Sequence, residues 1–547
     1  MFFSRPSPKA GRELHIDRMR DDEAGTHSEK SAVAGHRAVS LHRDCVLVLI
    51  LFVQVKGDGR ELSTFLVRSL SEGRRLEVPE SNNKALVSSY RSFHCASLNT
   101  MVAVISCIQD NEKIYDRYIF KEISSKQELI WSRIVDTETE LVLGLEQEEL
   151  QKRRRHLVLV RGVVTSQAPA LQSHYLADSS LSQDLSKHCY TASLAQTDGR
   201  QTGGRQEERS SVQLLEVEDS PLGRHPCLPA LVAVVQMMEE RAMYSKQGEA
   251  PGWMRSILSV LQAEATHRNV LLFLVKLILS CPDTFLPFAS TFLGPLLELL
   301  ASGRLAGSQP AIDSLTSDLL TMLLSWTSSS GIIPSLEQEK RAAGRILSFL
   351  MRYVHQERRD ILRHNLELLR SVLELWRPAI QQRVELNIVV DLLASGDLRE
   401  GSGVQVLAAV VAQGLGSPGS LGEEGILQPL LARMGSSLRK VYQAAAETVG
   451  LLLRRLEEEP EVGEKVRGTV VRRLEKMAGS RSTEERERFL EVLYFSHLHH
   501  PGIVVGFLQG FQYTLQHRSG VQLTQCLAMI RYHLRYFPSL WFPCSYK

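Results

Sequence analysis

The feature that most constrains the fold is a helical spacing of apolar residues that runs from about Arg224 to the C-terminus. One stripe consists of Leu438, Val441, Ala445, Val449, Leu452 and Leu456, and another of Leu362, Leu366, Leu369, Leu373 and Trp376. Steps of three and four put each set on one helix face, which has to be buried. Beside the second stripe, Arg363, Glu367, Arg370 and Glu374 have the spacing of ion pairs on an exposed outer face.

The stripes predict a series of helices and very little strand. The predicted helices are 227–244, 252–263, 266–280, 285–301, 311–327, 336–355, 359–376, 436–457, 482–496 and 518–535. Turns are predicted at Gly303, Gly331, Gly401–Gly403, Gly414–Gly419, Gly479 and Pro501. Helix pairs recur at about 40 residues, the period of a HEAT or armadillo solenoid. The predicted fold is an all-α, HEAT/armadillo-like α-solenoid with a disordered insertion and a disordered N-terminal leader.

Changes in composition predict four parts. Residues 1–44 lack an apolar period and form a disordered leader, and 45–162 is a helical segment, with helices expected over Lys84–Glu122 and Lys126–Leu157. Residues 163–222 are rich in Ser, Gln, Thr, Gly and Arg, which predicts a disordered linker. The helical-repeat domain is 223–547. The leader and the last residues, 541–547, raise the question whether both belong to the native protein.

Charge and cysteine usage exclude several classes. The 64 Lys and Arg nearly balance the 62 Asp and Glu, so a net charge of +2 gives no chain-wide basic field for nucleic acid. The eight cysteines are scattered without a CxxC pair, which predicts reduced thiols and no metal site. The longest apolar run, Cys45–Val53, is too short to span a membrane. We expect no cofactor, no membrane association and no small-molecule substrate.

Two motifs imitate catalytic sequences. His42-Arg43-Asp44 looks like a kinase catalytic loop, but Leu49 stands where the metal-binding Asn belongs and no Asp-Phe-Gly follows. Gly414–Gly419 satisfies GxGxxG, yet its flanks are helical and Pro418 disturbs the following helix N-terminus. We therefore interpret the second motif as an inter-helix loop and predict that the chain has no catalytic residues.

Two polar clusters leave alternatives open. His497, His499 and His500 have no nearby Cys or acidic cluster, so a helix-end group is favoured over a metal site. Lys152–Arg155 could serve nuclear import or contact phosphates, although so short a basic run is more often a solvated helix face.

In several segments the residues themselves, and not only their helical spacing, resemble a known family. They are Pro251–Met254, Leu272–Leu277, Leu324–Trp326, Arg363–Glu367 followed by Trp376, Val441–Glu447 followed by Gly450-Leu451, and, upstream, Asn99–Ser106 and Tyr175–Leu181. Taken in their order along the chain, these segments resemble the central helical-repeat region of the DNA-dependent protein kinase catalytic subunit family, which belongs to the phosphatidylinositol 3-kinase-related kinases. The resemblance covers roughly residues 83–530 and does not reach the family's kinase domain.

The resemblance implies a function, whereas the apolar stripes indicate only the fold. It implies a non-catalytic scaffold segment of a nuclear serine/threonine kinase, acting in double-strand break repair by non-homologous end joining. Its implied partners are end-binding and end-joining repair proteins, with DNA ends bound through the full-length assembly. An independent helical-repeat adaptor for transport or complex assembly remains the alternative.

The resemblance also points to modification sites, because kinases of this group favour Ser or Thr followed by Gln. The pairs are Ser166-Gln167, Ser182-Gln183 and Ser308-Gln309. Ser166 and Ser182 fall in the predicted linker and are the candidate phosphorylation sites, whereas Ser308 falls in a short turn between packed helices. A phosphate in the linker would lie near Arg200, Arg205 and Arg209.

Overall fold

The structure is a computed structural model that describes residues 67, 70–71, 83–108, 110–122, 129–145, 147–162, 222–241, 249–308, 311–395, 399–511 and 520–536. Contacts divide the chain into two compact units, Met1–Ile108 and Gln109–Lys547. The boundary falls inside the predicted segment 45–162. In the first unit, helix α1 spans Lys84–Ile108. The predicted leader and nearly all of the predicted linker lie outside the described residues.

The described part of the second unit is helical, and β-strands are absent from it. Its helices are α2 (Glu112–Tyr115), α3 (Trp131–Ile134), α4 (Gln147–Gly162), α5 (Leu228–Glu240), α6 (Gly252–Gln262), α7 (Arg268–Ser280), α8 (Pro282–Phe285), α9 (Ala289–Ala301), α10 (Ser314–Ser330), α11 (Glu337–Tyr353), α12 (Arg359–Leu375), α13 (Arg377–Ile380), α14 (Leu386–Ala394), α15 (Arg399–Ala412), α16 (Pro418–Leu421), α17 (Glu424–Arg433), α18 (Arg439–Leu456), α19 (Pro460–Ala478), α20 (Thr483–His497) and α21 (Gly520–Tyr536). A π-helix follows α2 at Asp116–Phe120, and 3-10 helices cover Leu286–Phe288 and Pro501–Gly510.

The long helices of this unit pack in two rows. The first row is α6, α9, α11, α14, α17 and α19, each packed on the next, and the second row is α7, α10, α12, α15, α18 and α20. Each first-row helix also packs on the second-row helix that follows it, so the repeating unit is a helix pair. First-row helices begin about 36 to 49 residues apart. This confirms the predicted HEAT/armadillo-like α-solenoid.

Local sequence signals define individual helices. The side chain of Asp313 caps α10 by accepting a 2.7 Å hydrogen bond from the backbone N–H of Thr316. The same helix ends where Gly331 adopts a left-handed φ of +67°. The apolar stripes then fill the space between the rows.

One residue from each of the two apolar stripes shows that the stripes are buried. The side chains of Trp376 and Leu452 are both 0% exposed, and the indole Nε1 of Trp376 donates a 3.0 Å hydrogen bond to Thr327 Oγ1. Leu438 is wrong as a core residue, because it is 60% exposed at the N-cap of α18. A cap residue lies outside the helical turn, so its side chain leaves the stripe.

Two sequence predictions fail for identifiable reasons. Within Lys126–Leu157, residues 135–145 are irregular, because the backbone carbonyls of Asp136 and Thr139 accept hydrogen bonds from Asn269 instead of continuing a helix. Gly401–Gly403 is not a turn but part of α15. A Cβ on Gly403 would lie 3.0 Å from the backbone of Leu392, so glycine there permits close helix packing.

One stretch of the described residues, Pro282–Ala301, is long and apolar enough to cross a membrane, judged only by length and composition. Half of it is buried among the other helices, as a core helix would be.

Candidate functional site

The first candidate site is the docking of α4 onto the second row. This helix precedes the repeat array in sequence, yet it packs on α10 and α12. Arg153 of α4 donates two hydrogen bonds to Asp318 of α10, Nε to Oδ1 at 2.8 Å and Nη2 to Oδ2 at 3.0 Å. Their side chains are only 3% and 12% exposed. The pair is therefore a bidentate, buried ion pair between segments 165 residues apart.

The end of α4 makes a second set of charged contacts. Arg161 forms ion pairs with Glu367 and with Glu374, the latter at 3.2 Å, and Arg370 approaches Glu367 at 3.5 Å. Burial raises the pKa of Glu374, and the nearby Arg161 opposes that shift. The Glu367 side chain is 0% exposed. The predicted exposed outer face of α12 is therefore wrong, because α4 covers it.

The basic cluster Lys152–Arg155 is divided by this docking. Lys152 and Arg155 are exposed, as a solvated helix face requires, whereas Arg153 is buried against Asp318. One residue of the run is thus structural, and no local pattern around it identifies its distant partner.

Beneath α4 lies a serine–histidine pair that resembles a nucleophile and its base. Ser317 Oγ and His364 Nε2 are 2.7 Å apart, but both residues are 0% exposed. Burial, with Arg153 and Arg154 nearby, lowers the pKa of His364 to about 3, so the imidazole is neutral. No carboxylate within the described ranges is hydrogen-bonded to its Nδ1. The pair is closed to substrate and acts as a buried hydrogen bond.

A further polar cluster joins α18 to α20. Glu491 accepts two 3.1 Å hydrogen bonds from Arg439 and a 2.7 Å bond from the hydroxyl of Tyr442. Burial, helped by Glu491, raises the pKa of Tyr442 to about 12. On the same helices Gly450 contacts the backbone of Ser496 so closely that a Cβ would not fit. These contacts fix the spacing of two second-row helices.

The three histidines at the end of α20 do not form one cluster. His499 Nε2 lies 3.0 Å from Glu447 Oε1, and His500 Nδ1 lies 3.0 Å from Glu457 Oε1. Burial lowers the pKa of His500, with Glu457 opposing the shift. Across the described portion of the chain, no group of three or more His, Cys, Asp or Glu residues is arranged to hold a metal ion.

Two adjoining clefts lie on the first row. They have volumes of about 620 and 520 Å³, and both border Glu298 of α9. In the larger cleft Arg345 donates to both carboxylate oxygens of Glu298, and Arg383 pairs with Glu337. Arg341 and Glu385 also line this cleft, which is an open polar groove between helices of the first row.

The serines of the Ser-Gln pairs and the glycine-rich motif remain to be located. Ser166 and Ser182 lie outside the described residues. Ser308 is exposed, but its backbone N–H donates a 2.8 Å hydrogen bond to Glu140 Oε1. The Gly414–Gly419 motif connects α15 to α16, a helix-to-helix connection, and Gly414 and Gly416 have φ values of +65° and +82°.

Helix pairs stacked in two rows, with buried charges paired between helices, define a helical-repeat scaffold. Comparison with known families makes this specific. Residues 43–331 match the family model described as "DNA-dependent protein kinase catalytic subunit, CC3", and residues 344–545 match "DNA-PKcs, CC5". The chain belongs to the DNA-dependent protein kinase catalytic subunit family.

Curated proteins named DNA-dependent protein kinase catalytic subunit are similar to this chain. The chain is 27% identical to the Gallus gallus protein over 527 residues and 26% identical to the Xenopus laevis protein over 529 residues. Each alignment covers 90% of this chain and 12% of the relative. A Dictyostelium discoideum relative is 22% identical over 508 residues, covering 83% of this chain and 11% of its own. The chain thus spans about 12% of the length of the curated relatives it matches, within helical regions.

Two solved structures with similar chains have TM-scores below 0.3. A designed armadillo repeat protein in complex with the peptide (KR)4 has 13% identity and a TM-score of 0.25, covering 44% of this chain and 98% of its own. The karyopherin Kap121p bound to the C-terminus of Cdc14p has 12% identity and a TM-score of 0.28, covering 95% of this chain and 55% of its own.

Proposed function

We propose that this chain is a non-catalytic scaffold segment of a DNA-dependent protein kinase catalytic subunit and acts in double-strand break repair by non-homologous end joining. Family membership carries the proposal. The docked α4 supports it, because buried bidentate ion pairs favour one arrangement of helices over alternatives. The working compartment is the nucleus. Ser166 and Ser182 are its proposed regulatory phosphorylation sites.

Within this proposal, the chemistry belongs to the rest of the long protein. The chain matches helical family models, and its most catalytic-looking pair, Ser317 with His364, is closed to substrate. We therefore expect the purified chain to transfer no phosphate from ATP to a Ser-Gln peptide. Transfer that disappears in Asp44→Ala would contradict this expectation, because Asp44 is the acidic residue of the kinase-loop imitation.

The partners proposed are DNA end-binding and end-joining proteins, with DNA ends held by the whole assembly. The test is immunoprecipitation of the native protein from nuclear extract supplemented with linear or circular plasmid, followed by mass spectrometry. We expect kinase-domain peptides on the same polypeptide and end-joining proteins only with linear DNA. Recovery of a chain without kinase peptides, with the same partners for both plasmids, would instead favour the independent adaptor.

A further inference from the structure

Helix α4 belongs to neither row of the array. The rows begin with α6 and α7, whereas α4 precedes both in the sequence and packs on α10 and α12. About 60 residues, 163–221, separate its last residue from the next described residue, Leu222. At up to about 3.3 Å per residue, that length of chain does not fix where α4 lies. Its position therefore depends on side-chain contacts with the second row.

These contacts are few for a helix of 16 residues. The described buried side chains of α4 are those of Leu150, Arg153, Leu157 and Val160, whereas α12 buries ten residues. The hydroxyl of Ser328 adds one hydrogen bond, 2.8 Å long, to the carbonyl of Val160. Buried ion pairs add little net stability, because loss of hydration offsets much of the attraction. We therefore expect α4 to detach at a lower free energy than the helices of the array.

Detachment of α4 leaves two carboxylates of the second row without counter-ions. Among the described residues, Asp318 forms an ion pair with Arg153 alone. Glu374 likewise pairs with Arg161 alone. Both cations belong to α4, so whatever covers this face has to supply two cations in their place.

The cations already present on α12 do not replace those of α4. Arg370 lies 3.5 Å from Glu367 and pairs with that carboxylate. Within the described ranges, neither Arg370 nor Arg363 forms an ion pair with the two carboxylates that α4 neutralises. With α4 detached, three carboxylates share this face with two guanidiniums, and its uncompensated charge is negative.

We propose that the face of α10 and α12 beneath α4, marked by Asp318, Glu367 and Glu374, is a docking groove for a basic amphipathic helix of a partner protein. Helix α4 acts as an intramolecular competitor that occupies the groove until the partner displaces it. Charge complementarity determines the occupant, because the groove holds α4 through two arginines and its carboxylates repel the phosphates of nucleic acid. The inference goes beyond the proposed scaffold role, because it assigns an interaction face and the chemistry of the helix that binds there.

The partner helix is specified by the residues that α4 presents to the groove. These residues share one helix face at positions i, i+3, i+7, i+10 and i+11, and they are Leu150, Arg153, Leu157, Val160 and Arg161. Lys152, Arg155 and Leu159 are exposed on the other side of α4 and place no demand on the partner. A helix with arginines at i+3 and i+11 and apolar residues at the other three positions has the required pattern.

Competition with α4 gives the groove a measurable signature. A partner binds only those molecules in which α4 is detached, so its apparent dissociation constant rises as that fraction falls. A change that loosens α4 without altering the groove therefore tightens partner binding.

The test uses the full chain and a fluorescent, alanine-based helical peptide of about 20 residues that carries the five-residue pattern. Fluorescence anisotropy measures binding, and the same peptide with glutamine in place of both arginines is the reference. We expect the arginine peptide to bind in preference to the glutamine peptide. Hydrogen exchange of the complex should show reduced protection of α4, while the protection of α11 stays unchanged.

Two variants break the same ion pair from opposite sides. Arg153→Met and Asp318→Ala both loosen α4, but only Arg153→Met keeps the carboxylate that the peptide needs. Arg153→Met should therefore bind the arginine peptide at least about tenfold more tightly than the unaltered chain, and Asp318→Ala at least about tenfold more weakly than Arg153→Met. The control is Lys152→Ala with Arg155→Ala, on the exposed side of α4, which should stay within about twofold of the unaltered chain. Circular dichroism verifies that each variant remains folded.

Four results would overturn the proposal. One is no binding, or equal binding of the two peptides. Another is binding that leaves α4 fully protected, because the peptide would then lie elsewhere. The third is equal tightening in Arg153→Met and Asp318→Ala, since the carboxylate would then have no part in binding. The fourth is a dimer of the unaltered chain in sedimentation velocity that dissociates when the peptide is added, which would assign the groove to α4 of a second copy.

Discussion

Removing the carboxylate of Asp318 should loosen the docking of α4 on the second row. Asp318→Ala leaves the guanidinium of Arg153, now 3% exposed, buried without its bidentate partner. Breaking a buried ion pair by removing one partner typically costs about 3–5 kcal/mol. Opposing this, α4 also buries the side chains of Leu150, Leu157 and Val160. Each contributes up to about 1.5–3 kcal/mol, so the helix stays docked but opens more often.

Hydrogen exchange measured by mass spectrometry is the assay. At about 1.4 kcal/mol per tenfold change in an equilibrium constant, protection of the α4 amides should fall by about two to four orders of magnitude. Peptides from α11, a first-row helix, serve as the internal control. Adding Arg153→Met to Asp318→Ala should restore protection, because the guanidinium that lost its partner is no longer buried. Unchanged exchange in Asp318→Ala, or no rescue by the second change, would refute the role of the ion pair.

Three further predictions concern stability and modification. The pKa of His364 is lowered to about 3, so below pH 6.5 the unfolded chain binds more protons than the folded chain, and stability falls as the pH drops from 6.5 toward 3. Urea titrations at pH 7.5 and pH 5 measure this loss of stability. In His364→Gln the loss between the two pH values should be smaller by about 2 kcal/mol. Trp376→Ala should lower the free energy of unfolding by about 3–5 kcal/mol, measured by thermal or urea unfolding, whereas Leu438→Ala, at an exposed cap, should lower it by under about 0.5 kcal/mol. Equal losses in the two variants would contradict the assigned helix faces. Phosphopeptide mapping with the active full-length kinase should label Ser166 and Ser182 before the serine of the third Ser-Gln pair, and the reverse order would contradict a linker accessible to the kinase.

The repeat architecture was predictable because helix stripes are local. Trp376 and Leu452 follow from spacing alone, and both are fully buried. The helices α14, α15, α17 and α19 were not named from sequence. In α15 the glycines at 401 and 403 resemble a turn when the sequence is considered alone. Glycine is needed at 403 because the backbone of α14 lies too close for a side chain. Contact between neighbouring helices thus overrides a local rule.

The site was less predictable, because it depends on distant pairs. The spacing of Glu367 and Glu374 suited an exposed helix face, and periodicity on α12 cannot report that another helix covers that face. Arg153 and Asp318 are separated by 165 residues, so no local pattern joins them. One signal was available: Asp318 lies on an otherwise uncharged helix, and a charge there needs a partner.

The central claim is that this segment is a scaffold whose geometry, not its chemistry, matters to the long protein. The most direct test is the Asp318→Ala change in the full-length protein, measuring peptide phosphorylation with and without linear DNA, with Asp318→Ala plus Arg153→Met as the rescue. We predict unchanged basal phosphorylation, a reduced stimulation by DNA ends and recovery in the double variant. Loss of basal phosphorylation with stimulation by DNA ends retained would contradict the account, because it would assign this segment a part in the chemical step.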